Sequence, residues 1–312
     1  MDNDTAPGLI LVKTALDKLY DEATIEMTTV GKATALDELV FTQDEATNAG
    51  VNTSVIGGGG YFQTTLDDVA PTNEANVAAA ALKFTQVLQF KKNLPISRTF
   101  MADQQESAVS KAVKQQALTW GASRDRNAFG VYNNGFTTQL TIDGVALFSA
   151  SHTNENGDTV SNLFTGQLTD PNLNTVIAGT NGLRVQVAQT GVILGHEPKF
   201  LLVPSLLHQT GMAVTKSVLR AGTGENDLNY FSEMYPGMKV VFSPFLDAVS
   251  TTAYFVGSQT HGVVRFEREA FFTVLRPWEE NINDQYIYKM RAREGVDSIE
   301  YPGLVGSTGA TA

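Results

Sequence analysis

Apolar and polar positions alternate most clearly over residues 82–98, "LKFTQVLQFKKNLPISR". Apolar Phe84 and Phe90 fall on one side of an extended chain and polar Thr85 and Lys91 on the other, which is typical of a β-strand. The residues before this run are rich in Gly, Asn and Thr, and they include four consecutive glycines: Gly57, Gly58, Gly59 and Gly60. We therefore interpret residues 46–100 as one long extended loop or hairpin, in which the glycines form a flexible joint.

The pattern changes to a helical period after Asp103. The "DQQE" motif resembles a capping box, with Asp103 as the N-cap and Glu106 reaching back to it. A helix from about residue 104 to residue 132 would be roughly 40 Å long. It would carry two opposed sets of apolar residues: Val109, Ala112, Val113, Ala117 and Trp120, and Leu118, Ala122 and Phe129. Two apolar faces predict a structural spine covered on both sides.

Shorter elements follow in mixed order. A weak helix is interrupted at Gly179 and Gly182, and a buried strand at residues 200–203 leads into a helix from about residue 206, with Ser205 as its cap. The segments "KVVFSPF" and "AYFVGS" are predicted as buried strands, and residues 261–278 and 284–299 alternate as two longer ones. We expect the last residues, "GSTGATA", to be loose. These elements predict an α+β fold.

Residues 1–45 have a different character. One short amphipathic helix is predicted from Val12, Leu16, Leu19 and Tyr20, but the remainder is too polar to form a core. We interpret this segment as an arm that packs against something else.

Composition and charge argue against several classes of protein and several kinds of site. The 312 residues carry a net charge of −11, and cysteine is absent, which excludes disulfides, thiolate nucleophiles and cysteine-based zinc sites. An acidic surface disfavours a nucleic-acid reader, because binding nucleic acid depends on Lys and Arg displacing counterions. No apolar run is long enough for a membrane helix, and the acidic N-terminus, "MDNDTAPGLI", lacks the features of a signal peptide. We expect no membrane association.

The stretch "DGVALFSASHTN" (residues 143–154) is the main candidate for catalysis, with Ser149 or Ser151 as nucleophile and His152 as base. The G-x-S-x-G elbow of many serine hydrolases is absent. Ser151 and His152 are adjacent in the sequence, an arrangement that gives no reason to expect the hydroxyl and the imidazole to face each other. The four histidines are well separated and fit no metal motif, and the run of four glycines lacks the Lys-Ser or Lys-Thr of a phosphate loop. We predict no catalytic residue, metal or cofactor.

Charged residues offer candidates for subunit contacts instead. Arg265, Glu267 and Glu269 in "RFERE" would share one side of a strand, where they could pair with a neighbouring strand or subunit or form a solvated face. Lys91 and Lys92 would form a positive tip on the extended loop and could meet an acidic neighbour.

The order of these segments resembles the major capsid proteins of tailed bacteriophages with the Hong Kong 97-type fold, and most of all the Mu-like major head subunits. The resemblance lies in "LKFTQVLQFKKNLPISRTFMADQQ", "NAFGVYNNGF…DGVALFSASHTN" and "LLVPSLLHQTGMAVTKS". It implies five segments: an N-terminal arm (1–45), an E-loop with flanking strands (46–100), a P-domain with a spine helix (101–170), an A-domain (171–258), and P-domain return strands with a C-terminal tail (259–312).

The resemblance also implies a function. The chain would be a non-enzymatic head protein that assembles with itself, through pentamers and hexamers, into an icosahedral shell around double-stranded viral DNA. Scaffold, portal and decoration proteins are its expected partners, and DNA is enclosed without sequence-specific binding. The protein would be assembled in the host cytoplasm and reside in the virion. Some relatives join subunits through a Lys–Asn crosslink; Lys91, Lys92 and Asn93 suggest no such bond, since no catalytic Glu can be assigned.

Alternative functions remain open at this point. A cellular nanocompartment shell shares the fold but encloses an enzyme. A serine hydrolase using Ser151 or Ser149 with His152 belongs to a different class of protein. An adhesin is disfavoured by the lack of repeats and of a secretion signal. The arm begins almost at Met1, so we expect any scaffold segment to be short or to be a separate protein.

Overall fold

The computed structural model describes residues 17–18, 39–56, 79–102, 106–217, 229–281 and 283–310. Within these ranges the fold is built mainly from two larger sheets, one long helix and a separate two-stranded hairpin. The strands are β1 (Thr42–Glu45), β2 (Gly50–Ile56), β3 (Ala79–Gln86), β4 (Leu88–Ser97), β5 (His152–Thr153), β6 (Thr159–Val160), β7 (Leu163–Phe164), β8 (Phe200–Val203), β9 (Lys239–Phe242), β10 (Tyr254–Gly257), β11 (Val263–Arg276), β12 (Gln285–Ser298) and β13 (Leu304–Ser307). The α-helices are α1 (Arg98–Ala102), α2 (Glu106–Asn133), α3 (Asp170–Ala178), α4 (His208–Lys216) and α5 (Tyr230–Met234).

The first sheet is built on the long antiparallel pair of β11 and β12. Its strand order is β1-β11-β12-β4, with β4 antiparallel to β12 and β1 parallel to β11. The strands at residues 82–98, 261–278 and 284–299 that alternation predicted are therefore present. The first of these forms β3 and β4 in two different sheets, because the chain passes from the hairpin into the main sheet at Val87.

Helix α2 lies across one side of this sheet and closely matches the predicted spine. Val109, Val113 and Ala117 are buried against the sheet, and the C-terminal turns continue into a second core around Tyr132. The predicted second covered face is wrong over the middle of the helix, since Leu118 and Ala122 are exposed in the single subunit. The proposed cap, Asp103, lies outside the described residues.

The second sheet has the strand order β7-β13-β10-β8-β9 and is buried on both sides. Phe200 and Leu202 of β8 face the core shared with α2, whereas the alternate residues Leu201 and Val203 face α3. Such continuous apolar strands are typical of a sheet with two covered faces. Ser205 does not cap a helix: a 3₁₀ turn begins there, and its backbone amide donates to Asp247.

The C-terminal segment corrects one expectation. Residues 304–307 form β13 between β7 and β10 in the second sheet, and Ser307 donates a hydrogen bond to the Gly166 carbonyl. The final stretch is therefore ordered as far as residue 310, and only residues 311–312 lie outside the described part. Within the described residues, no helix has the length and apolar character needed to span a membrane.

Candidate functional site

The loop after α2 surrounds a buried histidine. His152 is 0% exposed, its Nδ1 lies 2.7 Å from Oδ2 of Asp143, and its ring stacks on that of Tyr301 at 4.2 Å between centroids. The second ring nitrogen, Nε2, lies 3.3 Å from the carbonyl oxygen of Leu147. Both nitrogens thus face acceptors, and the ring joins the loop to the segment that leads into β13.

Asp143 is held as a carboxylate. Its burial alone would raise the pKa, but hydrogen bonds from His152 and Thr141, the charge of His152 and the backbone amide of Val145 together bring the pKa below its ordinary value. The Asp-Gly turn that opens this loop therefore supplies the acceptor that fixes the histidine ring.

The geometry does not support a serine hydrolase. The hydroxyl oxygens of Ser149 and Ser151 lie 3.1 Å from each other near the surface, and neither is hydrogen-bonded to His152. A general base must be within hydrogen-bond reach of the proton that it abstracts. His152 is oriented by an acid as in a triad but has no nucleophile, so its role is structural.

Two buried amides complete this junction and were missed by the sequence analysis. Asn162 donates to the carbonyls of Leu147 and Leu304 and accepts from the backbone amide of Ser149. Gln186 donates to the Leu304 carbonyl and accepts from the Gly303 amide. No sequence motif marks them, since their partners are backbone groups remote in the chain.

The "RFERE" residues do not share one face. Arg265 is 0% exposed, and its guanidinium carbon lies 4.7 Å from the centroid of the Phe41 ring inside the subunit. The pairing register shifts between Glu267, opposite Glu294, and Glu269, opposite Arg293. Adjacent residues of a strand point to opposite faces, so this bulge moves Glu269 to the other side of the sheet. Arg265 is thus wrong as a surface contact, while Glu267 is exposed.

Lys91 and Lys92 are exposed but are not at a loop tip. They lie in the middle of β4, opposite Arg291 and Met290 of β12, at the edge of the first sheet. The difference arises because the alternating run at residues 82–98 covers two strands: β3 of the hairpin, and β4, which is an edge strand of the first sheet.

The flexible joint predicted for the extended loop lies between β2 and β3. Its four glycines all fall outside the described residues: Gly57, Gly58, Gly59 and Gly60. The joint therefore stays a prediction.

The base of the hairpin formed by β2 and β3 is fixed by a polar cluster. Nζ of Lys83 lies 2.6 Å from Oδ1 of Asp297, and Thr85 donates to Oδ2 of the same carboxylate at 2.7 Å. Gln139 also donates to Asp297. The outer side of β3, in contrast, exposes Leu82 and Phe84 at 73% and 64%. The hairpin is thus anchored on one side and presents an apolar surface on the other.

The end of the predicted arm is held by its own subunit. Val40 and Phe41 are buried in the core with Tyr132, whose hydroxyl donates to the Val40 carbonyl at 2.9 Å. Nε2 of His261 donates to the Leu39 carbonyl at 3.1 Å. Burial lowers the pKa of His261 to about 4, against a smaller opposing effect of the Leu39 hydrogen bond.

Within the described ranges, no three His, Asp or Glu side chains are grouped so that they could hold a metal ion. The described residues form a long helix on a mixed sheet, a second buried sheet and a hairpin with an exposed apolar side. The apolar side of the hairpin is a candidate surface for contacts with other proteins.

Comparison with known proteins shows the family to which the chain belongs. Residues 81–306 match the family model described as "Phage capsid protein", so the chain belongs to the phage capsid protein family. The solved structures below confirm the α+β Hong Kong 97-type fold. The family membership confirms the major capsid role, which is structural and not enzymatic. No curated protein sequence gives a significant match.

Three solved structures share the fold at low sequence identity. The procapsid of bacteriophage JBD30 has 16% identity and a TM-score of 0.52, covering 99% of this chain and 77% of that one. The capsid of cyanophage P-SCSP1u has 10% identity and a TM-score of 0.53, covering 88% of each chain. The virus-like particle from Pyrococcus furiosus has 10% identity and a TM-score of 0.53, covering 93% of this chain and 98% of that one.

Proposed function

We propose that this protein is a Mu-like major head subunit whose copies form pentamers and hexamers and close into an icosahedral shell around double-stranded DNA. The observation that carries the proposal is the match of residues 81–306 to the phage capsid protein family. Rings of identical subunits use heterologous contacts, which close when the rotation between subunits closes.

The apolar surface of the hairpin supports this proposal. Leu82 and Phe84 of β3 and Leu88 at the start of β4 are exposed large apolar side chains that follow one another along the chain. Contiguous exposed apolar surface marks interaction sites in soluble proteins. Neighbouring subunits would cover it in the shell. The flexible joint of this reaching segment would consist of Gly57, Gly58, Gly59 and Gly60.

The same proposal has consequences for DNA binding, for the location of the protein and for its partners. An acidic subunit, with a net charge of −11, would enclose DNA without gripping it, so no sequence-specific contact is involved. Assembly would take place in the host cytoplasm, the mature protein would reside in the virion, and scaffold, portal and decoration proteins would be partners. Lys91, Lys92, Glu267 and Glu269 are the charged residues that we assign to contacts between subunits.

Electron microscopy of the overexpressed protein with analytical ultracentrifugation tests the proposal. Closed particles, or rings of five and six subunits, are the expected result. A monomer or dimer, even in the presence of a candidate scaffold protein, would contradict it.

A nanocompartment shell is the second candidate, favoured by the structural match to the virus-like particle from Pyrococcus furiosus. The two functions differ in cargo. Particles from infected or induced cells should contain nuclease-protected double-stranded DNA if the protein is a viral head subunit. A co-purified enzyme in place of DNA would establish the nanocompartment function.

A further inference from the structure

The side of the first sheet that faces away from α2 is basic. Glu294 of β12 pairs with Arg124 of α2 at 3.1 Å, so residue 294 and its alternate neighbours point toward the helix. The intervening residues of β12 therefore point away from it. The register brings further cations of β4 and β11 to the same side. This basic sheet face consists of Lys91, Arg276, Lys289, Arg291 and Arg293.

Like charges lie in cross-strand register on this face. Lys91 and Arg291 are cross-strand partners, and like charges placed opposite each other destabilise a sheet. Glu269 offsets part of this charge, with its carboxylate 3.0 Å from Nε of Arg291. Within the described part of the chain, Lys91, Arg276 and Lys289 have no recorded ion pair, so the face keeps an excess of positive charge in an otherwise acidic protein.

The side of the sheet that carries α2 shows the opposite charge near its β1 edge. Glu45 is the register partner of Glu267, which is in turn the partner of Glu294. Arg124 neutralises Glu294, but Glu45 and Glu267 are both exposed. No ion pair is recorded for either of them among the described residues. We call Glu45 and Glu267 the acidic edge.

We infer that the basic sheet face of one copy binds the acidic edge of the next copy in a ring. The inference rests on the proposed self-assembly and names the surfaces that carry it. On the basic sheet face and on the acidic edge, the like charges lie on neighbouring strands, which are about 4.8 Å apart. A pair of cations on one copy can therefore face a pair of carboxylates on the next copy at the same spacing. Each subunit places two like-charged pairs in cross-strand register, Lys91 with Arg291 and Glu45 with Glu267, and a contact between copies would bring opposite charges to both pairs.

A protein partner fits this face better than nucleic acid does. Phe272 and Val274 of β11 lie on it next to the cations, and they are 38% and 41% exposed. Phosphates would leave these apolar side chains uncovered, whereas a subunit surface can pack on them. The surfaces are also different patches of one chain, and such heterologous contacts build rings.

Charge reversal and its rescue test the inference. One variant carries Lys91→Glu with Lys289→Glu, a second carries Glu45→Lys with Glu267→Lys, and a third combines all four changes. Either reversal alone should lower the fraction of protein in rings or shells by about tenfold, because like charges would then face each other between copies. The combined variant should recover assembly to within about threefold of the original protein.

Matched controls distinguish loss of the proposed contact from a general effect of net charge and from a failure to fold. Lys216→Glu with Lys239→Glu makes the same change in net charge at exposed positions of α4 and β9, and it should assemble normally. Circular dichroism and urea unfolding should show that every variant is folded. Reversed variants that assemble like the original protein, or a combined variant that fails to recover, would overturn the inference while the proposed function stands.

Two further results would also overturn it. If the basic-face variant assembles normally but binds less double-stranded DNA in a filter-binding assay, the face is a nucleic-acid site. If the unaltered protein forms no rings or shells at all, the proposed function fails first and the inference fails with it.

Discussion

Nζ of Lys83 in the hairpin lies 2.6 Å from Oδ1 of Asp297 in β12, and both side chains are largely buried. This ion pair is the centre of the cluster that fixes the hairpin to the body, since Lys83 also donates to the backbone carbonyls of Leu140 and Ser298. The hairpin is therefore held at its base by one carboxylate and the groups around it.

Asp297→Ala should destabilise the subunit by about 3 kcal/mol, because it leaves the largely buried Lys83 ammonium without its counter-charge and the Thr85 hydroxyl without its acceptor. Urea unfolding of disassembled subunits measures this change. Lys199→Ala, at an exposed position, should change the free energy of unfolding by less than about 0.5 kcal/mol. Equal effects of the two substitutions would show that Asp297 is not an anchor.

The roles of His152 and Ser151 can be separated by substitution. His152→Ala removes a buried ring and leaves the Asp143 carboxylate unpaired, so we expect a loss of about 3 kcal/mol in the free energy of unfolding. Ser151→Ala should change it by less than about 0.5 kcal/mol, because Ser151 is exposed. A fluorophosphonate probe should label neither serine, and labelling that disappears in Ser151→Ala would contradict the structural role.

Local patterns predicted the elements of this fold better than the contacts between them. The 3.6-residue period of α2 and the alternation of β11 and β12 follow from burial against one surface, which the sequence records directly. The bulge after Glu267 leaves no such record, so alternation placed Glu269 on the wrong face. The position of β13 depends on pairing with Tyr254–Gly257, far away in the chain.

The same difference between local patterns and long-range contacts applies to the candidate site. The twelve residues 143–154 were recognised as unusual, and they contain both Asp143 and His152. Their pairing was not predicted, because it requires a turn that folds the loop back on itself. The contacts of Asn162 and Gln186 are with backbone carbonyls and amides of other segments, for which side-chain spacing carries no signal.

The stability of the subunit should fall between about pH 6.5 and pH 4, and His261 should account for much of the loss. Burial lowers the pKa of His261 from 6.5 to about 4, so in this window the unfolded chain binds a proton that the folded chain does not. Stability is then complete above the unfolded pKa and decreases as the pH falls toward the folded one. The shift corresponds to a few kcal/mol, on the order of 3.

His261→Gln keeps a donor for the Leu39 carbonyl but cannot titrate. The difference in free energy of unfolding between pH 7.5 and pH 5 should be smaller in this variant than in the original protein. Asp143 acts in a separate window: its lowered pKa gives stability that is present above about pH 4 and is lost only below it. An unchanged pH dependence in His261→Gln would contradict the assignment to His261.

The apolar side of the hairpin should matter for assembly and not for folding. Leu82 and Phe84 are 73% and 64% exposed, so Leu82→Ser with Phe84→Ser removes little apolar surface from the core of the subunit. Its free energy of unfolding should stay within about 1 kcal/mol of the original value. The same substitutions should sharply reduce the fraction of protein that sediments as particles, because the buried apolar core of an interface carries much of its binding energy.

Leu206→Ser is a matched comparison, since Leu206 is also 73% exposed but lies in the 3₁₀ turn before α4. A smaller effect of this substitution on sedimentation would show that the hairpin surface contributes specifically to assembly. If the double hairpin variant forms particles as efficiently as the original protein, neighbouring subunits do not depend on this surface. Its exposure would then need another explanation.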